Sequence, residues 1–112
     1  MKFYKNLYVS ESLTDKKDEI IQKLKQKKIQ FNCYIILLTE NPENQLEFYD
    51  SLMLKQKNFK KDHLFVVGIA KGYDEALSVI KEITEDTYQA QHNADIRKFI
   101  INNEKQFNES RV

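Results

Sequence analysis

Asn44-Gln-Leu-Glu-Phe-Tyr-Asp-Ser-Leu-Met-Leu-Lys55 is the stretch whose reading decides the fold. Wound as a helix, it gathers residues 46, 48, 49, 52, 53 and 59 on one side, broken by Gln56. The absence of Val, Ile and Thr between Asn44 and Asp62 favours that reading on propensity. Extended as a strand, it places Leu46, Phe48, Leu52 and Leu54 on one face, with Asp50 the one intruder. The residues before it, Asn41-Pro42-Glu43-Asn44, serve either reading. Pro42 fits the second position of a type I turn, or the first turn of a helix capped by Asn41. The strand is the reading adopted here. A loop of Asn41 to Asn44 then sets Leu37 opposite Phe48, Ile35 opposite Asp50, Cys33 opposite Leu52 and Phe31 opposite Leu54. The helical alternative would give an alternating α/β chain with a parallel sheet.

Outward from this hairpin the remaining elements follow. Phe31 to Thr39 contains the apolar run Tyr-Ile-Ile-Leu-Leu, a strand covered on both faces. A short helical turn is expected over Lys55 to Lys61. Leu64 to Ile69 reads as another buried strand, and it turns directly into a helix. Both glycines of the chain, Gly68 and Gly72, stand at that join. Gly72 is placed to cap the helix, with Glu75 three residues on to reach back. Tyr73, Ala76, Leu77, Ile80, Ile83, Thr84 and Tyr88 form its apolar stripe, with Leu77, Ile80 and Ile83 expected in the core. Upstream, Lys2 to Ser10 has the aromatic and β-branched content of a strand. Asp15 to Lys28 reads as a helix capped by Thr14 or Asp15, with Glu19 and Lys23 an i,i+4 pair. Asp95 or Asn93 caps a last helix through Phe107, with Ile96, Phe99, Ile100 and Phe107 inside. The expected architecture is α+β in the order β-α-β-β-β-α-α: a mainly antiparallel four-stranded sheet with helices on one face. Residues 1–107 make one domain, and 108–112 a frayed tail.

Composition narrows the function classes. Net charge is +1, too small for a global field that draws nucleic acid or a membrane. Its distribution is uneven. Residues 1–61 hold 12 Lys against 8 acids, and residues 62–112 hold 6 Lys or Arg against 9 acids. A single cysteine, no apolar membrane span and no apolar signal core point to a cytoplasmic protein without disulfides. His63 and His92 lack metal-ligand spacing, Cys33 lies in an apolar strand, and no nucleophile is paired with a base. No catalytic residue, metal or cofactor is expected. Gly68-Ile-Ala-Lys-Gly72 fits no phosphate-loop pattern, and Asp74 and Glu75 would repel phosphate.

Two binding classes remain. Tyr34, Ile36, Tyr49 and Met53 share the second face of the expected hairpin, a tyrosine-rich surface suited to a protein partner. Lys23, Lys25, Lys27 and Lys28, with Lys55, Lys57, Lys60 and Lys61 beside Phe59, form two basic clusters able to hold phosphates. The order helix, three strands, helix over residues 15–90 resembles the double-stranded RNA-binding domain in topology. That family's lysine-rich turn at its last helix is replaced here by Lys71-Gly-Tyr-Asp-Glu-Ala.

Four segments taken together are Phe3-Tyr-Lys-Asn-Leu-Tyr-Val-Ser, Gln45-Leu-Glu-Phe-Tyr-Asp-Ser, Val66-Val-Gly-Ile-Ala-Lys-Gly-Tyr-Asp-Glu-Ala-Leu and Asp95-Ile-Arg-Lys-Phe-Ile. They resemble small, uncharacterised single-domain proteins carried on mobile elements of Gram-positive bacteria. The resemblance implies an accessory protein of such an element, a group that includes inhibitors of host defence nucleases, anti-CRISPR proteins among them. It brings no catalytic motif. The leading expectation is a non-enzymatic protein that acts on a protein or ribonucleoprotein complex. The alternative is an RNA-binding or RNA-level regulator using the lysine clusters.

Overall fold

In the computed structural model, which describes residues 1–26, 28, 32–41, 43–56 and 64–110, the deciding stretch splits in two. Leu46–Asp50 is a strand, and Ser51–Lys55 closes into a 3₁₀ helix. In chain order the elements are β1 (Lys2–Val9), a 3₁₀ segment (Glu11–Lys16), α1 (Lys17–Lys25), β2 (Cys33–Leu38), β3 (Leu46–Asp50), β4 (Phe65–Lys71), α2 (Gly72–Gln91) and α3 (Ile96–Ser110). The chain is an α+β domain built on one four-stranded sheet, ordered β1-β4-β2-β3. β2 pairs antiparallel with β3 and β4, and β1 pairs parallel with β4.

The hairpin exists, but its register differs by one residue from the expected one. Ile36 faces Phe48, Ile35 faces Tyr49 and Tyr34 faces Asp50. The pairings of Leu37 with Phe48, Ile35 with Asp50 and Cys33 with Leu52 are therefore corrected, and Phe31 lies outside the described residues. The loop explains the slip. Thr39 N–H donates to the Gln45 carbonyl at 2.9 Å, so pairing begins one residue earlier on the first strand. The Thr39 hydroxyl donates to the Asn44 carbonyl and accepts from Asn41 N–H, while Asn41 Oδ1 accepts from Glu43 N–H. These polar side chains build their own turn. A one-residue slip exchanges the faces of a strand relative to its partner.

Helices α2 and α3 lie on one face, as expected, against Tyr4, Ile36, Val67 and Ala70. The expectation that all helices share that face is corrected for α1. Ile20 and Leu24 of α1, with Leu13 and Leu54, cover Cys33, Ile35, Leu37, Val66 and Ile69 on the other side. Strand alternation supplies both sets, because β2 and β4 are apolar at successive positions. β4 carries a bulge: Ile36 pairs with Gly68 and Leu37 with Val66, leaving Val67 extra.

Gly68 sets how closely α2 approaches. A Cβ there would lie 3.1 Å from Val79 Cγ1 and 3.2 Å from Ile36 Cδ1. The helix therefore turns its smaller residues to the sheet: Ala76, Val79, Ile83 and Thr87 are its buried line. Ile83 is buried as expected and Ile80 is partly so, but Leu77 stands 43% exposed, a correction to its expected core position. Gly72 opens the helix at φ 79, where its N–H donates to the Asn32 carbonyl at 2.7 Å. Glu75 does not reach back to cap. It accepts from Ser12 N–H and Oγ at 3.2 and 2.6 Å. Asp95 caps α3 through Lys98 N–H, and α3 continues through Ser110 past the expected end at Phe107. Glu19 and Lys23 pair at 2.8 Å.

Candidate interaction surface

β3 is an outer strand of the sheet, and its five residues are all partly exposed. Phe48 lies on the α2 side of the strand. Tyr34 lies beside it on β2, and Tyr73, in the first turn of α2, leans over both. The ring centroids are 6.1 Å apart for Tyr34–Phe48, 5.5 Å for Phe48–Tyr73 and 6.4 Å for Tyr34–Tyr73. These separations are those of interacting aromatic pairs. The cluster stays open to solvent: Tyr73 is 55% exposed, and Leu77, one turn further along α2, continues the apolar shelf. Large aromatic side chains held rigid by neighbours yet left half-wet are what protein interfaces use as anchors.

The hairpin that carries Phe48 is acidic. Residues 39–54 contain Glu40, Glu43, Glu47 and Asp50 and no Lys or Arg. Glu47 accepts from the Tyr49 hydroxyl at 2.7 Å, which holds that phenol above its ordinary pKa. Asp50, the charged intruder of the sequence pattern, sits on the outer strand and accepts from Leu52 N–H at 3.0 Å. Edge position and a donor both relieve its desolvation. Arg97 is a cation that does reach the loop, and its guanidinium donates to the Thr39 and Asn41 carbonyls. Gln45 adds a second link to α3, accepting from Arg97 N–H at 3.1 Å and donating to the Ala94 carbonyl at 2.8 Å. The hairpin is thus held rigidly to the start of α3.

The four expected interface residues do not share a face. Tyr34 belongs to the shelf. Ile36 is fully buried beneath α2, a correction that follows from both faces of the sheet being covered. Tyr49 points to the α1 side, and Met53 lies partly exposed in the 3₁₀ helix. Phe48, Tyr73 and Leu77 were missed. The helix pattern held a signal for two of them: its apolar positions span a wider arc than one sheet contact covers, so the flank Tyr73–Leu77 was left over.

Comparison with family models, curated proteins and solved structures finds no match to this chain.

Of the lysines, Lys23 is ion-paired with Glu19, and Lys25 Nζ lies 5.8 Å from the Phe3 ring centroid. Lys28 and Lys55 are exposed. Lys27, Lys57, Lys60 and Lys61 lie outside the described residues, as do Phe59, His63 and most of the turn expected over Lys55 to Lys61. The helix–three strands–helix order is present along the chain. In the sheet, however, β2 stands between β3 and β4, so the three strands do not form a meander.

Cys33 is buried, and burial, with Asp50 nearby, pushes its thiol up to about 11. Few thiolates form at neutral pH under such conditions. Among the described residues no three His, Cys, Asp or Glu side chains gather to hold a metal ion. No helix among them is long and apolar enough to cross a membrane.

A cleft of about 330 Å³ opens where the chain leaves the parallel strands β1 and β4 toward opposite faces. Ser10, Glu11, Ser12, Glu75, Ser78 and Glu82 line it. Such a crossover point is where α/β sheets often bind ligands. Here the hydroxyls of Ser12 and Ser10 bond Glu75 and hold its carboxyl below the usual range. Ser10, Ser12 and Glu75 of the cleft thus engage one another, whereas the Tyr73 ring of the shelf is more than half in solvent.

Proposed function

We propose that this is a small, non-enzymatic interaction protein whose docking surface is the aromatic shelf Tyr34, Phe48, Tyr73 and Leu77 beside the outer strand β3. The observation that carries this reading is Tyr73: it packs on two other rings and still leaves more than half of itself in water. A preorganised ring loses little freedom on binding, so its burial by a partner yields a net gain. The sequence resemblance to accessory proteins of bacterial mobile elements supplies the context. In that context the partner is a cytoplasmic protein or ribonucleoprotein complex, and inhibition of a host defence nuclease in the manner of anti-CRISPR proteins is the activity to look for.

The test is affinity capture from a Gram-positive host lysate with the wild-type protein and with the double variant Tyr73→Ser, Leu77→Ser. A specific protein retained by the first, lost with the second and indifferent to ribonuclease supports the reading. If that partner is a nuclease, adding the protein should slow its cleavage of DNA. RNA retained equally by both proteins, and lost when Lys25 and Lys28 are reversed in charge, would transfer the assignment to RNA binding.

A further inference from the structure

The sheet has two outer strands, and they are finished differently. β1 carries Lys2 and Lys5, and it breaks register between Phe3 and Tyr8 while β4 advances only from Val66 to Gly68. Its Lys5 N–H is taken by Glu104 of α3 at 3.0 Å. Lysines, irregularity and a covering helix are the devices that stop a sheet edge from pairing with another chain. Among the described residues, β3 shows none of them. Leu46-Glu-Phe-Tyr-Asp50 has no Lys, Pro or Gly, and its register with β2 is unbroken.

The backbone groups it offers can be identified. Thr39 N–H bonds the Gln45 carbonyl, so in an antiparallel pair the bonded positions recur at Glu47 and Tyr49. Leu46 and Phe48 then turn their N–H and C=O groups outward. Side chains on one side of any added strand would lie beside Phe48 and the Tyr73 shelf. Those on the other would lie beside Glu47.

We propose that β3 is a docking edge for an extended segment of a partner protein that bears Lys or Arg. That segment adds a fifth strand, with its basic residues toward Glu47 and its apolar residues along Phe48 and Tyr73. This rests on the interaction reading above and names the partner's chemistry. Charge selects the occupant. The four acids of residues 39–54 have no basic neighbour within that segment, and Arg97 is engaged by loop carbonyls. A second copy pairing through β3 would bring these acids together, and like charges across a strand pair are destabilising. Main-chain bonds provide the affinity in such strand addition, and alternate side chains provide the choice of partner.

The experiment is selection from a displayed library of random short peptides on the full chain, followed by hydrogen exchange of the complex with a selected peptide. The expected peptides are rich in Lys or Arg alternating with β-branched or aromatic residues and lack proline. They should protect the Leu46 and Phe48 amides. Leu46→Pro removes an outward N–H at a position an outer strand tolerates, and it should weaken binding about tenfold. Glu47→Lys should lose the basic peptide and gain its charge-reversed version. Acidic peptides, no selected peptide, or Leu46 and Phe48 amides already protected by self-association would overturn the proposal. Peptides that respond to the Tyr73, Leu77 double variant but not to Leu46→Pro would overturn the edge while leaving the shelf reading intact.

Discussion

β1 and β3 are both outer strands of one sheet, yet a helix covers the first and, among the described residues, none covers the outer side of the second. β1 is crossed by the middle of α3: Ile100 is fully buried against the sheet, and Glu104, itself 5% exposed, bonds the β1 backbone. Tyr8 is tied to α2 through Asp86 at 2.6 Å. Among the described residues β3 hydrogen-bonds β2, packs Phe48 on Tyr73 of α2, and is tied through its loop to Arg97. The difference teaches where this molecule has invested its rigidity. The closed edge serves stability, and the other is the edge proposed above for recognition.

Four outcomes would sharpen or break that contrast. Ile100→Ala should have the largest effect, a loss of about 2–5 kcal/mol in chemical denaturation, because it opens a cavity beneath α3. An unchanged midpoint would mean α3 does not close the sheet. Glu104→Ala should come next, at about 1–3 kcal/mol, since it leaves the Lys5 N–H without its acceptor. One oxygen of Glu104 has no partner of its own, so Glu104→Gln should recover much of that loss. At the open edge, Asp50→Ala removes the cap on the 3₁₀ helix and should lower stability by about 0.5–2 kcal/mol, with no change in the exchange rates of β1 amides.

The smallest effect is a difference in alkaline stability. Burial and the bond to Asp86 hold the Tyr8 hydroxyl well above the usual range, whereas Tyr49 is raised chiefly by its bond to Glu47. Both are protonated in either state well below pH 10. Above it the unfolded chain ionises first, so stability falls with rising pH. Denaturation followed from pH 9 upward should show Tyr8→Phe removing more of that decline than Tyr49→Phe. Equal effects would mean the two edges are alike in burial.

The order of elements was legible in the residues, and so were several local details. Asp95 caps α3 and Glu19 meets Lys23, whereas the cap of α2 is Lys71 and Gly72, expected there, is its first residue, at positive φ. Asp50 needed a donor or an edge, and it has both. The candidate site was only partly legible. The residue pattern singles out Tyr34, but it puts Leu77 in the core, Tyr73 on the apolar stripe of α2, Phe48 on the helix-facing side of the hairpin and Ile36 on the surface.

What the sequence determined by itself was local: helix and strand periods, caps, and the turn residues between Thr39 and Gln45. These depend on contacts between residues a few positions apart. What only the tertiary structure decided was relative placement. The hairpin register turned on which residue of Thr39 and Glu40 paired with Gln45, and a single step of that kind exchanges every side chain between faces. The rotation of α2 turned on the bulge at Val67–Gly68, which admits Ala76 and Val79 and leaves Tyr73 and Leu77 outside. The face taken by α1 turned on β2 and β4 being apolar on both sides. Each of these choices depends on atoms that are distant in the chain and adjacent only after folding, and the aromatic shelf arises where those choices meet.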